Sequence, residues 1–336
     1  MTIKLLNQLN SLSKAHDISV KNYIRDKDPE KGYLSHMVGL LGSKDPLVRK
    51  KISEYFVHFF HNNSKNKAYL RQTQGNGVFD IFITLLVDTS AVCIVNGLRV
   101  IKSLALDIDN QSLLYNSIPI LISLCHTPFV STRRLALSAL WAVCYDTPRN
   151  RLAIGAPGDS PSGSTAASGI ETLIQILRGQ SQTQAHTHTP VDGECMRSAA
   201  GVCMRLAIEA GNESEFQRND AICVFVSILR HNTSTTSTNN NTSNTSTNSN
   251  NVESTTIGKY NIESCTYIMG CLWLLVYDSD VNRMSLFNCS GGVQCLLDSL
   301  VANSSNVTEY RAHSARYIQY IICHCVSLYV IVCEYN

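Results

Sequence analysis

The run Ser131–Tyr145, STRRLALSALWAVCY, constrains the fold more than any other stretch. Leu135, Ala136, Leu137, Ala139, Leu140, Ala142, Val143 and Cys144 cover nearly every angle of a 3.6-residue wheel, whereas Arg134, Ser138, Trp141 and Tyr145 share one narrow face. Such a helix is packed against neighbours on most sides and shows solvent a single strip. Weaker copies recur along the chain, each a helix ending in a Leu-Leu-like pair, a short polar turn and a longer helix. They read YLSHMVGLLGSKDPLVRKKISEYFVHFF, GVFDIFITLLVDTSAVCIVNGLRVIKSLALD, SIPILISLCHTPFVSTRRLALSALWAVCYD, GIETLIQIL with CMRSAAGVCMRLAIEAG, AICVFVSILRH with ESCTYIMGCLWLLVYD, and GGVQCLLDSLVANSSNVTEYRAHSARYIQYII. In the first copy Asp45-Pro46 supplies an N-cap and a first helical residue that needs no amide. Thr147-Pro148 closes the third.

Placing Tyr55, Arg99, Trp141, Gly201, Trp273 and Arg316 at one position of the long helices gives intervals of 44, 42, 60, 72 and 43 residues. The two long intervals hold polar, low-complexity insertions at 155–168, 179–193 and 232–256, the last built on an Asn/Thr/Ser tract at 232–251. Without them the period is about 42 residues, which is the range of helical solenoid units. The insertions lack the apolar side chains needed to offset chain-ordering entropy, so they are expected to be disordered loops. They cost little stability, because closure entropy grows only logarithmically with loop length. Residues 1–32 are expected to form an N-terminal capping helix, through Ile3, Leu5, Leu6, Leu9 and Leu12, and a polar linker. Residues 33–322 form the repeat domain and 323–336 an apolar C-terminal tail.

The segments GGVQCLLDSL, GIETLIQIL and SALWAVCYD resemble the armadillo repeat, in which a Gly-rich turn leads into a leucine-rich second helix and a third helix follows. The resemblance covers roughly 33–322 and implies an all-α, right-handed superhelix of about six repeats. It implies too that the third helices line a concave groove that binds extended peptides or partner domains. In the nuclear-import adaptors of that family the groove carries a ladder of Trp-x-x-x-Asn. There the Trp stacks on the stems of basic side chains and the Asn bonds the peptide backbone. This chain has Trp141/Tyr145 and Trp273/Tyr277 instead, and the other copies read Arg99/Ser103, Gly201/Arg205 and Arg316/Tyr320. The departure argues against cargo import in that manner, and the Asn role is not carried over to Tyr.

The candidate partner-binding residues are Trp141, Tyr145, Trp273, Tyr277, Arg99, Arg134 and Arg205. A Trp and a Tyr four residues apart offer stacking area with one polar handle, the chemistry enriched at interface hot spots. Packing as core between repeats is the other placement open to these rings. Arg99, Arg134 and Arg205, with Lys102, would give the groove a positive lining suited to acidic or phosphorylated groups. Arg205 stands beside Gly201, which would leave room there.

Charge is low, with 16% charged residues and a net charge of +2, so nothing marks a nucleic-acid partner. The thirteen cysteines are odd in number and scattered through apolar runs, which favours reduced thiols in a protein of the cytoplasm, with the nucleus as a second location, over a disulfide framework. The start of the chain lacks an apolar h-region, and Thr2 excludes N-myristoylation. Cys323-His324-Cys325 and His186/His188 lack the second pair that a zinc site needs, so no metal and no cofactor are expected. Tyr317–Cys333 is apolar enough to raise a tail anchor, although Gln319 and His324 interrupt it. No Walker loop, Gly-x-Ser-x-Gly or His-Glu-x-x-His occurs, so no catalytic residues are assigned. The reading is a non-enzymatic scaffold or adaptor that holds an extended segment of a protein partner. A nuclear-import, chaperone or ubiquitin-pathway adaptor and a tail-anchored scaffold are the alternatives.

Overall fold

Among the described residues, five long helices are each tied at the C-terminal end by one buried asparagine from the short helical segment that follows. A computed structural model describes residues 33–75, 77–157, 167–179, 192–238, 262–294 and 296. Among them every regular element is a helix. The N-terminal capping helix, the C-terminal tail and most of the three insertions lie outside the described residues.

The chain divides into two units, Met1–Ile154 and Gly155–Asn336. In the first, α1 (Tyr33–Leu40), α2 (Pro46–Phe60), α3 (Ser64–Gln74), α4 (Gly77–Thr84) and α5 (Ala91–Ala105) are followed by α6 (Ile108–Gln111), α7 (Ile118–Cys125), α8 (Val130–Cys144) and α9 (Pro148–Gly155), which ends at the boundary. The second holds α10 (Gly169–Leu177), α11 (Gly193–Leu206), α12 (Glu213–Arg218), α13 (Ala221–Thr238), α14 (Ile262–Tyr277) and α15 (Asp280–Asn288). The expected pairing of a shorter helix with a longer one is present four times among the described residues, and in a fifth pair the first helix, α13, has 18 residues against 16 in α14. A third, short helix intervenes before each next pair, so the repeat has three helices. The helix α13 runs on to Thr238, into the tract expected as loop. Once a helix is nucleated, each added residue gains a hydrogen bond, so a polar tail can extend it.

Local chemistry sets the ends. The Asp45 side chain accepts from Leu47 N and Pro46 opens α2; Asn63, Asp107, Ser168, Asp192 and Ser279 cap other helices in the same way. Pro148 both closes the third pair and starts α9.

The apolar faces then pack long helix on long helix: α2 on α5 and α5 on α8 in the first unit, α11 on α14 in the second. The first unit's core opens on a buried aromatic cluster of Tyr55, Phe56, Phe59, Phe60 and Phe82, with ring centroids 4.9–6.3 Å apart.

The asparagine tie fixes the repeat register. Asn66, Asn110, Asn150, Asn212 and Asn282 are all essentially inaccessible to solvent. Each donates Nδ2–H to a carbonyl near the end of the preceding long helix: Phe59 (2.9 Å), Leu104 (3.3 Å), Val143 (2.9 Å), Leu206 (2.9 Å) and Leu275 (2.7 Å). Those of Phe59, Val143 and Leu275 have no partner within their own helix, so without the amide they would be buried and unsatisfied, whereas those of Leu104 and Leu206 also accept from Asp107 N at 3.1 Å and Glu209 N at 3.2 Å. In two copies the next residue completes the tie. Arg151 donates to the Tyr145 carbonyl at 3.2 Å, and Arg283 to those of Val276 and Tyr277 at 2.9 and 2.7 Å.

Candidate functional site

Counting back two residues from each tied carbonyl gives Val57, Lys102, Trp141, Met204 and Trp273, and all five are half-buried. Counting two forward gives His61, Leu106, Tyr145, Ile208 and Tyr277, and all five are exposed. This burial agreement makes the register physical. Trp141 and Trp273 are equivalent, as the sequence alignment has them. Tyr55, Arg99 and Gly201 are not their equivalents; they lie two or three residues nearer the helix start. Apolar spacing along a helix alternates between three and four residues, so a match by pattern alone tolerates slips of a few residues, here two or three. Tyr55 is accordingly core, at 2% exposure, and Gly201 is buried.

The strip that results differs between the units. In the first, the four-residue stripe of α8 is graded: Arg134 is exposed, Ser138 and Trp141 are half-buried, and Tyr145 is 46% exposed. On the neighbouring α5, Arg99 is exposed, Lys102 half-buried and Leu106 exposed. Arg99, Arg134, Trp141 and Tyr145 thus stand on the solvent-facing strips of two helices that pack together.

In the second unit Trp273 is half-buried and Tyr277 is 42% exposed, their ring centroids 5.4 Å apart and the planes tilted by 59°. They border a cleft of about 170 Å³ together with Ile208, Ala210, Glu213 and Asp278. Its volume suits one side chain, and its charged borders are acidic. The guanidinium of Arg205 acts elsewhere, in the surroundings of Tyr267. The Tyr267 phenol is pushed up to about 12 by burial, then by its hydrogen bond to Glu263 at 2.9 Å and that carboxylate's charge. Arg197 and Arg205 pull it partly back, and Arg197 pairs with Glu263 at 3.1 Å.

Ile208, Leu106 and His61 belong to this strip and were not singled out from sequence. A signal for them exists: Trp-x-x-x-Tyr-Asp-Thr/Ser-x-x-Asn-Arg occurs at 141–151 and again at 273–283. Reading its Asn into the other copies sets the register without reference to Trp.

Among the described residues no group of three His, Cys, Asp or Glu side chains is placed to hold a metal ion. Cys323-His324-Cys325 and His186/His188 lie outside them. No described helix is long and apolar enough to cross a membrane, and Tyr317–Cys333 lies outside the described residues.

The described residues form helix triplets whose long helices pack on one another within each unit. No protein-family profile and no curated protein matches the chain. Solved structures do. An engineered protein aligns over 97% of this chain and 68% of its own, with TM-score 0.69 and 16% identity. A computationally designed armadillo repeat protein for modular peptide recognition aligns over 85% and 98%, with TM-score 0.61 and 12% identity. A designed armadillo repeat protein in complex with the peptide (KR)4 aligns over 86% and 99%, with TM-score 0.60 and 13% identity. The chain has the all-α armadillo-type superhelical repeat fold.

Proposed function

We propose that this chain is a non-enzymatic scaffold that holds extended segments of protein partners on the exposed strips of its long helices. One observation carries the reading: the half-buried and exposed positions recur in register on every described long helix, and they present Trp141, Tyr145, Trp273 and Tyr277 at the surface. A rigid stack that presents fixed side chains loses little entropy on binding. The peptide-bound designed neighbour supports a peptide partner by analogy of fold alone. The buried, free thiols of Cys93 and Cys271 support a reducing compartment, the cytoplasm or nucleus.

The test is the full-length double variant Trp141→Ala with Trp273→Ala. Captured partner should fall at least tenfold while helical circular dichroism and melting stay near wild type. Unfolding of the variant would show the rings to be core and end the site assignment.

The cleft at Trp273 favours a second, adaptor-like reading for the second unit. An aromatic wall with Glu213 and Asp278 at its border suits an apolar stem with a cationic head. A lysine-rich peptide should then change Trp fluorescence in wild type and not in Trp273→Ala; no change in wild type removes this reading.

A further inference from the structure

The three long helices of the first unit segregate charge. Together α2, α5 and α8 hold seven Arg and Lys residues against one acid, Glu54. The acids of this unit stand on the short helices and connections, where several are taken. Arg49 pairs with Asp88 at 2.6 Å, and Arg71 pairs with Asp107 and Asp109 at 3.4 and 2.8 Å. On the strip itself Lys50, Arg99 and Arg134 are exposed and Lys102 is half-buried. Lys50 and Arg134 share one register, nine residues before the tied carbonyl, and Arg99 stands four residues further on. Lys50, Arg99 and Lys102 make no ion pair among the described residues. Like charges gathered on one face raise the local potential and draw anionic groups. The second unit has no such excess: α11 and α14 carry Arg197 and Arg205 against Glu194 and Glu263, and Arg197 already pairs with Glu263.

We propose that the strip across α2, α5 and α8 holds an extended protein segment rich in Asp and Glu, with Trp141 and Tyr145 taking an apolar side chain beside it. The proposal rests on the scaffold reading above and names the partner's chemistry. Packed helices lie about 8–10 Å apart, and an extended chain advances about 3.3 Å per residue. About three residues therefore separate one helix from the next, and six or seven cross all three. Carboxylates at that spacing meet Lys50, Arg99 and Arg134 in charge-assisted hydrogen bonds, with Arg99 and Arg134 able to bind them in bidentate fashion. Glu54 within the strip and the flat aromatic end suit a mixed acidic and apolar peptide. Nucleic acid, at one charge per about 1.7 Å of duplex, calls for a denser row of cations.

The experiment uses the full chain and a fluorescent peptide of about eight residues, rich in Asp and Glu with one Leu. Fluorescence anisotropy should show saturable binding that weakens several-fold between about 50 and about 200 mM salt. Arg99→Glu with Arg134→Glu should weaken it at least tenfold with circular dichroism unchanged. Arg99→Lys with Arg134→Lys, which keeps both charges, should retain most of it. Equal binding of the Asn/Gln version of the peptide would overturn the proposal. So would tighter binding of a phosphoserine version or of a single-stranded oligonucleotide, or wild-type binding by the charge-reversed variant. If the acidic peptide fails while a lysine-rich one still reports at Trp273, this proposal falls and the scaffold reading stands. Failure of both, together with unchanged partner capture by the double tryptophan variant, removes that reading as well.

Discussion

Lys102 in the first unit and Met204 in the second stand at one register of their long helices, two residues before the carbonyl that a buried asparagine receives. A cation in one place and a thioether in the other mark how the units diverge on a common frame. Three residues nearer the helix start, the first unit has Glu54, Arg99 and Ser138, and the second has Gly201 and Gly270. A Cβ on Gly270 would stand 2.9 Å from the Met204 sulfur, so the glycine lets the methionine lie across α14. The first unit therefore shows solvent a strip rich in cations, whereas the second places Met204 and Ile208 on α11 and its continuation and the Trp273–Tyr277 pair on α14 beside its cleft. What holds the helices is shared, and what they offer to a partner is not.

The shared part makes the largest prediction. Asn150 donates to the carbonyls of Gln111 at 2.8 Å and Val143 at 2.9 Å, and Asn282 donates to that of Leu275 at 2.7 Å. Asn150→Ala or Asn282→Ala leaves buried carbonyls unpaired and should cost about 2–4 kcal/mol in urea unfolding. Hydrogen exchange should rise first in the unit that carries the change. If the frame is common, the two losses agree within about 1 kcal/mol. A near-neutral result in either unit would break the comparison at its base.

Glycines supply a smaller and sharper contrast inside the second unit. A Cβ on Gly155 would fall 1.9 Å from Asn212 Oδ1, whose amide group holds the Leu206 carbonyl. Gly155→Ala should therefore dislodge a tie and cost about 2–3 kcal/mol. In Gly270→Ala the clash falls on the flexible end of Met204. The added helix propensity of about 0.5–1 kcal/mol offsets the movement, so stability should stay within about 0.5 kcal/mol of wild type. Thermal melts of the two variants decide it; equal losses would show that Met204 is as fixed as the asparagine.

How much of this was legible in the chain depends on the range of the interaction. The helix in 130–144, the cap at Asp45-Pro46 and the pairing of shorter with longer helices follow from apolar spacing and local chemistry, which a sequence displays directly. The register did not follow, because an apolar pattern tolerates a slip of three or four residues. Asn66, Asn110 and Asn212 look like ordinary polar residues until the carbonyls opposite them are known. The charge of Arg205 beside the Tyr267 phenol is likewise invisible in the sequence, because Tyr267 and its partner Glu263 come from α14. Polar composition marked 232–238 as loop, although helix propagation carries α13 through it. Trp141 and Trp273 were correctly aligned with each other because both copies keep the same eleven-residue motif.

The smallest effect tests a feature that only the first unit has. Arg49 lies ten residues before its tied carbonyl, where the second unit places the buried Met196 and Cys265. Its Nε and Nη2 donate to the two oxygens of Asp88 at 2.6 and 3.0 Å, and Ser90 N donates to Oδ1 at 2.8 Å. The Arg49 hydrogen bonds are the main reason the Asp88 carboxyl is held below its ordinary range, against the opposing effect of partial burial. A carboxyl depressed in the folded state stabilises fully above its unfolded value, near 3.9, and loses that contribution as pH falls through the lower folded value. Asp88→Asn should lower the melting temperature slightly at neutral pH, since the pair sits near solvent. The gap to wild type should then close as pH falls below about 4. Hydrogen exchange at neutral pH should place the change at α2 and the turn before α5, with α11 and α14 unaffected. A gap that persists undiminished into acid would mean that Asp88 acts through the shape of its turn, and the contrast between the units at this register would then be one of packing rather than charge.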